Sequence, residues 1–215
     1  LTKEDSGYWN TDNIRYIPNA RTFENVNPAS LDNKKVITVG RYSYQKGYDL
    51  LIKVWDKVHK HCPDWALDIV GDGEDREKLQ KMIDDLNLAG SVCLKHSTPQ
   101  ITQEYQNASI VALSSRYEGL PMILLEAQTF GLPIVSFKCK CGPIDVITDG
   151  VDGYLVDEGD TKGMADRIIT LIKDVELRKA MGRVARESSE RYSEEMIMRQ
   201  WVDLFNELCG SQKGQ

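Results

Sequence analysis

The chain has 215 residues, of which 41% are hydrophobic and 28% charged, an ordinary composition for a globular protein. Its net charge of −6 argues against a nucleic-acid-binding protein, because such proteins carry a basic surface. No apolar run approaches the roughly 18 residues of a membrane span, and residues 1–6 are too polar for a signal peptide. Since the chain starts with Leu1 rather than Met, we expect it to be a fragment of a longer protein.

Hydrophobic periodicity predicts alternating strands and helices from residue 36 onward, whereas residues 1–34 are irregular. Short apolar runs predict strands at 36–39, 65–70, 92–94, 109–113, 133–137 and 153–156. Helical spacing predicts helices at 48–61, 74–88 and 98–106, a further one from Pro121, and a helical end after residue 160. This alternation predicts an α/β fold, a Rossmann-like parallel sheet sandwiched by helices. The expected domain spans 35–210, after a linker and before a frayed tail at 211–215.

The loop after the first predicted strand carries two cations, Arg41 and Lys46, between Gly40 and Gly47. Ligands of parallel sheets bind beyond the carboxyl ends of the strands, which is where this loop lies. Arginine binds phosphate oxygens with two donors and lysine adds a compact charge, so the loop is typical of a phosphate site. It lacks both the P-loop and the G-x-G-x-x-G patterns, and two solvated surface cations are the alternative interpretation.

Two glutamates, Glu118 and Glu126, frame a turn that joins a strand to a helix. Pro121 suits the first helical turn, and the backbone amides around it can face an anion such as phosphate. The two carboxylates can hold hydroxyl groups on either side of that anion. Phosphate flanked by hydroxyls describes a nucleotide sugar; the alternative is two solvated glutamates.

The residues at two other strand ends are weaker evidence for a ligand site. The segment Gly71-Asp72-Gly73 is either part of a ligand site or a turn in which Asp72 caps a helix at Glu74. His96 follows the third strand, where it either lines a pocket for a base or is structural.

The helical end carries cations on one face and an apolar final helix. The cations are Lys179, Arg183 and Arg186. Because glutamates lie alongside them, we favour a solvated face over contact with a membrane. The final helix has more apolar surface than a tail needs, so we expect it to dock on a partner.

Metal and disulfide chemistry is not predicted. The five cysteines are scattered and odd in number, and the three histidines form no H-E-x-x-H pattern. This distribution favours reduced thiols in a cytoplasmic protein.

Together these segments resemble the carboxyl-terminal, donor-binding domain of retaining GT-B fold glycosyltransferases of family 4, the glycosyl transferases group 1. The resemblance runs from about Val36 to Leu208 and rests on motifs in a fixed order. They lie at 36–47, 69–73, 115–127, 131–135 and 142–156. Residues 17–20 resemble the interdomain linker of the family, and residues 1–5 the end of its amino-terminal domain.

The resemblance implies roles for individual residues. In this family the Arg and Lys of the first loop bind the donor diphosphate, which implies Arg41 and Lys46. The first Glu of the E-x7-E motif contacts the donor sugar and the second holds the ribose hydroxyls, which implies Glu118 and Glu126. The other residues expected at the nucleotide sugar are Gly40, Gly71, His96 and the backbone amides of Gly119, Leu120 and Met122.

The implied reaction is hexosyl transfer from a nucleoside diphosphate sugar to an acceptor hydroxyl with retained anomeric configuration, in polysaccharide or glycolipid synthesis. No cofactor or divalent ion is expected, because Arg41, Lys46 and a helix N-terminus would neutralise the leaving diphosphate. Glu118 is not expected to act as a covalent nucleophile. A missing amino-terminal domain would hold the saccharide or lipid-linked acceptor, so the fragment alone should not turn over. We expect a cytoplasmic protein and leave open peripheral contact with the inner membrane face.

Two alternatives remain at this point. One is a non-catalytic nucleotide-binding or interaction module, against which the four intact charged residues Arg41, Lys46, Glu118 and Glu126 count. The other is a GT-B relative such as a nucleotide-sugar epimerase, which resembles the chain less in the E-x7-E region.

Overall fold

A six-stranded sheet organises the part of the chain that the structure, a computed structural model, describes: Lys3 and residues 14–211. Its strands are β1 (Lys35–Val39), β2 (Ala66–Val70), β3 (Val92–Lys95), β4 (Ile110–Leu113), β5 (Ile134–Phe137) and β6 (Gly153–Val156). Neighbouring strands are all parallel, in the order β3-β2-β1-β4-β5-β6. The predicted α/β class and parallel sheet are therefore confirmed.

Eight α-helices follow or connect these strands within the described residues. They are α1 (Tyr48–His61), α2 (Arg76–Asp85), α3 (Ile101–Gln106), α4 (Met122–Thr129), α5 (Pro143–Val146), α6 (Thr161–Lys173), α7 (Val175–Ser189) and α8 (Glu194–Ser211). The bounds predicted for α1 are correct. Helix α2 is shorter than the predicted 74–88, since Asn87 adopts a left-handed conformation with φ 56° just beyond its end. Pro121 precedes α4 in an extended conformation instead of lying in its first turn.

Both faces of the sheet are covered, which explains why its strands are nearly continuous apolar runs. Adjacent side chains alternate between the faces, so Val36 packs into one core and Ile37 into the other. Helices α1, α2 and α6 cover the first face, and α3 and α4 cover the second. The carboxyl ends of all six strands consequently meet at one open edge.

The leading segment, residues 14–34, packs on the second face. Its backbone is tied down by Arg21 N to Tyr192 O (2.8 Å) and Ala29 N to Phe130 O (2.9 Å). Phe23 contacts the ring of Phe130 edge-on, with centroids 5.5 Å apart. These residues are thus part of the domain's packing. The predicted roles of residues 1, 2 and 4–13 and of tail residues 212–215 concern positions outside the described part of the chain.

Two cations of the predicted solvated face anchor this segment instead. Lys179 pairs with Asp32 at 2.7 Å, and Arg186 donates to the carbonyl oxygen of Val26 at 2.8 Å. The interpretation as a solvated face is therefore wrong for Arg186, whose bond to Val26 is partly buried, whereas Lys179 is 37% exposed within its surface pair. Arg183 is exposed, as predicted.

Helix α8 presents an exposed apolar surface. Among its large apolar side chains only Ile197 is buried, and the exposed ones include Met198, Trp201, Val202, Phe205 and Leu208. In the described residues no helix is sufficiently long and apolar to cross a membrane.

The cysteines differ sharply in expected reactivity, and none of the five forms a disulfide. Burial, followed by the charge of Glu118, raises the pKa of the Cys139 thiol to about 12, while Cys93 and Cys209 are exposed. Since the thiolate is the nucleophile, Cys139 should react about 10³-fold more slowly than an exposed thiol at neutral pH. A chromogenic disulfide reagent should therefore titrate two fast thiols in the native chain. A Cys93→Ser/Cys209→Ser variant should lose the fast phase, and a persisting fast phase would contradict the burial of the others.

Candidate functional site

The strand order brings the loop after β1 against the loop after β4. These strands are neighbours at the centre of the sheet, where the direction of strand succession reverses and where ligands bind in such folds. The loops are joined by Arg116 N to Gln45 O (2.8 Å) and by Ser114 Oγ to Lys46 O (2.9 Å). Arg116 adds a two-pronged ion pair with Asp49 of α1, at 2.7 and 2.9 Å. The loops therefore form one braced unit.

Lys46 and Glu118 meet in this unit. The Lys46 Nζ atom lies 2.7 Å from Glu118 Oε1, and the Ser115 hydroxyl donates to the same oxygen at 2.6 Å. The side chains are only 19% and 6% exposed, respectively. Because the carboxylate is largely withdrawn from water, it depends on these two donors for its stabilisation. The structure thus brings together the residues predicted for the diphosphate and for the sugar.

A cavity of about 530 Å³ opens beside this pair. It is lined by Thr22, Phe23, Val39, Gly40, Arg41, Val70, Gly71, Asp72, Ser97, Thr98, Ile101 and Glu126. Its floor requires close backbone approach, because a Cβ atom on Gly71 would lie 2.0 Å from the carbonyl oxygen of Gly40. Gly40 also connects the cavity with the ion pair, since a Cβ there would lie 3.0 Å from Lys46 Cε.

Arg41 lies on the cavity wall and is mostly exposed. Its side chain is 73% exposed, and its Nε atom lies 3.1 Å from Glu74 Oε2. An exposed pair of this kind contributes little to stability, so the guanidinium can exchange Glu74 for an anionic ligand at small cost.

Glu126 projects from α4 into the cavity with both carboxylate oxygens engaged. Thr22 Oγ1 donates to Oε1 at 3.0 Å, and Tyr105 Oη donates to Oε2 at 2.5 Å. Burial, followed by the charge of Glu126, raises the pKa of Tyr105 well above its ordinary value, so the phenol stays a donor. Thr22 and Tyr105 were not predicted as site residues, since neither belongs to a recognised motif; an isolated tyrosine on a short helix carries no local signal.

Asp72 closes the rim of the cavity instead of capping a helix. Its carboxylate accepts from the Ser97 hydroxyl and from His96 Nδ1, both at 2.5 Å, and from the Ser97 amide at 3.0 Å. The Ser97 hydroxyl, followed by His96, lowers the pKa of Asp72 to about 2. The capping interpretation is therefore wrong, because α2 begins only at Arg76 and its side-chain cap is absent. His96 is itself exposed and borders the cavity through Asp72.

The N-terminus of α4 supplies backbone donors near Glu118. Within the described residues, no backbone carbonyl accepts a hydrogen bond from the amides of Gly119, Leu120 or Met122. Glu118 itself is fixed by backbone bonds to Lys140 and Cys141. Free amides at a helix start favour an anion.

Over Lys3 and residues 14–211, no three His, Cys, Asp or Glu side chains are grouped so that they could hold a metal ion.

Comparison with known proteins identifies similar chains. The family model described as glycosyl transferases group 1 matches residues 19–188. The amylovoran biosynthesis glycosyltransferase AmsD of Erwinia amylovora is 34% identical over 217 residues, covering 96% of this chain and 61% of that protein.

Solved structures are similar as well. A mutant of S. aureus TarM in complex with fondaparinux, alpha-GlcNAc-glycerol and UDP has a TM-score of 0.85 and 32% identity, covering 94% of this chain and 41% of that one. The pneumococcal O-GlcNAc transferase GtfA in complex with UDP and GlcNAc has a TM-score of 0.77 and 26% identity, covering 85% and 38%. This chain therefore spans about 60% of the length of AmsD and about two fifths of the length of the TarM and GtfA chains.

Proposed function

Since the chain belongs to the glycosyl transferases group 1 family, we propose that it is the donor-binding part of a glycosyltransferase. The observation that carries this proposal is the cavity at the centre of the sheet edge. Glu126, the residue expected to hold the ribose hydroxyls, lies on the cavity wall. The Lys46–Glu118 pair lies on the other side of Gly40. A nucleoside diphosphate sugar would place its nucleoside in the cavity and its diphosphate and sugar toward the pair.

The charges along this path match such a donor. Lys46, Arg41 and the amide-rich start of α4 would neutralise the diphosphate as it leaves, which is electrostatic stabilisation without a metal ion. Both contacts to Glu118 fall on Oε1, so Oε2 is the oxygen that a sugar hydroxyl would meet. We propose retention of the anomeric configuration, with the leaving phosphate helping to deprotonate the acceptor hydroxyl.

We propose a uridine diphosphate sugar as the donor. Two similar structures, TarM and GtfA, are complexes with UDP. The acceptor would be a saccharide or a lipid-linked saccharide held by the remainder of the protein. We also propose a cytoplasmic location, which the five free thiols support, with peripheral contact at the inner membrane face for a lipid-linked acceptor.

A thermal-shift panel tests the donor assignment. The full-length protein and this chain are each heated with UDP, GDP, ADP and the free nucleosides. UDP at about 100 times its dissociation constant should stabilise by roughly 2.7 kcal/mol, with smaller shifts for the other diphosphates. A shift with GDP or ADP alone would mean that the donor carries guanine or adenine instead of uracil. If no nucleotide shifts the full-length protein, a non-catalytic module is favoured.

A further inference from the structure

The Glu126 carboxylate uses half of its hydrogen-bond acceptor positions, and the positions that remain are on both oxygens. An ionised carboxylate has about four acceptor positions, two on each oxygen. Thr22 takes one on Oε1 and Tyr105 takes one on Oε2. One position is therefore left on each oxygen.

We propose that Tyr105 and Thr22 are positioning residues that make Glu126 a selective acceptor for the adjacent 2′- and 3′-hydroxyls of ribose. This inference rests on the proposed function, in which Glu126 holds the ribose hydroxyls, and adds to it the two residues that orient the Glu126 carboxylate. Two neighbouring hydroxyls each need one acceptor, and the carboxylate offers one per oxygen. A freely rotating carboxylate would not hold both in register.

Tyr105 is a rigid anchor. Its side chain is fully buried, and its ring stacks on Phe130 with centroids 5.2 Å apart and an interplanar angle of 21°. Because the ring cannot move, the hydroxyl fixes Oε2 of Glu126 in place. Hydrogen bonds to ionised groups are the stronger class, so this contact sets the orientation of the carboxylate.

Thr22 brings the second anchor from a distant part of the chain. It is exposed, but the next residue, Phe23, packs against the rings of Tyr105 and Phe130 at 6.5 and 5.5 Å. The aromatic contacts thereby hold the leading segment where the Thr22 hydroxyl reaches Glu126. The segment that precedes β1 would in this way contribute to recognition of the ribose.

Conservative variants in the full-length protein test this inference by calorimetry. The measured quantity is the ratio of dissociation constants for 2′,3′-dideoxy-UDP and UDP. In the wild type this ratio should be about 100, from two hydrogen bonds to a charged acceptor. Tyr105→Phe should lower it about tenfold and Thr22→Val about threefold, as expected for loss of one fixed donor. Affinity for the dideoxy nucleotide should stay within about twofold, because neither variant touches base or phosphate.

Matched variants separate the outcomes. Tyr192→Phe also removes a partly buried hydroxyl, which donates to the Asp145 carbonyl oxygen at 3.0 Å, and should leave the ratio unchanged. Glu126→Gln should reduce the ratio at least as much as Tyr105→Phe. An unchanged ratio in Tyr105→Phe and Thr22→Val, or an equal loss for both ligands, would overturn the inference while leaving the donor site intact. If Tyr105→Phe does not fold, the ratio in Thr22→Val decides the question, because Thr22 is exposed and its replacement should not prevent folding. Absence of binding of UDP, GDP and ADP to the wild type would refute the proposed function and this inference together.

Discussion

Replacing Lys46 with alanine is expected to weaken the binding of UDP by about 10- to 100-fold while leaving uridine binding nearly unchanged. The ammonium group is held largely away from water, where its charge is screened least. A diphosphate would interact with it directly, and a nucleoside would not. Calorimetric titration of the full-length protein with both ligands measures the difference.

The same substitution should also destabilise the chain, by about 3 kcal/mol in the free energy of unfolding. It leaves the Glu118 carboxylate, 6% exposed, with the Ser115 hydroxyl as its remaining donor. Removing the charge as well, in Lys46→Met/Glu118→Gln, should recover most of that loss.

Lys34→Ala is the matched control, because Lys34 pairs with Asp64 at 2.6 Å on the exposed surface. It should cost at most about 1 kcal/mol and should not affect UDP binding. If Lys46→Ala weakens the binding of UDP and of uridine equally, Lys46 does not bind the diphosphate.

Replacing Gly47 with alanine should reduce the free energy of unfolding by about 3 kcal/mol or more. Gly47 has φ 63°, a conformation that alanine adopts at a cost, and it lies at the junction between the Lys46 loop and α1. An added Cβ would lie 2.1 Å from the carbonyl oxygen of Ser114, a backbone atom that cannot turn aside. Relief of that clash separates the two loops, so nucleotide binding should fall as well. Urea denaturation followed by circular dichroism measures the stability.

Gly90→Ala provides the comparison. A Cβ at Gly90 would have no heavy-atom neighbour within 4 Å, and the residue is exposed. Its stability should change by no more than about 0.5 kcal/mol. Similar losses in both variants would mean that the contact between Gly47 and Ser114 does not hold the loops together.

Much of the architecture was predictable from local pattern. The period-3.6 stripe at 48–61 and the apolar runs that became β1 to β6 identified a parallel sheet, because covered strands and amphipathic helices leave strong local signals. The motifs also placed Lys46 and Glu118 at strand ends. Element ends were less accurate: Asn87 shortened α2, and Pro121 stayed outside α4. At such boundaries a single backbone angle outweighs periodicity.

Contacts between distant residues were not predictable in the same way. Asp72 has the composition and position of a helix cap, yet it bonds Ser97, 25 residues away, because the ends of β2 and β3 lie side by side. Likewise Lys179 and Arg186 looked like a solvated charged face, but they bond the leading segment. Helical spacing shows which residues share a face and does not show what packs against it.

The sequence by itself determined the fold class, the family and the residue types at the strand ends, since these depend on periodicity and on short motifs. Only the tertiary structure decided which of those residues meet. The central position of β1 between β2 and β4 brings Lys46 to Glu118 across 72 residues, and the folded-back leading segment brings Thr22 to Glu126 across 104. The physical reason is that sheet order and segment docking are set by burial of whole apolar faces, a sum over many residues that no single motif contains.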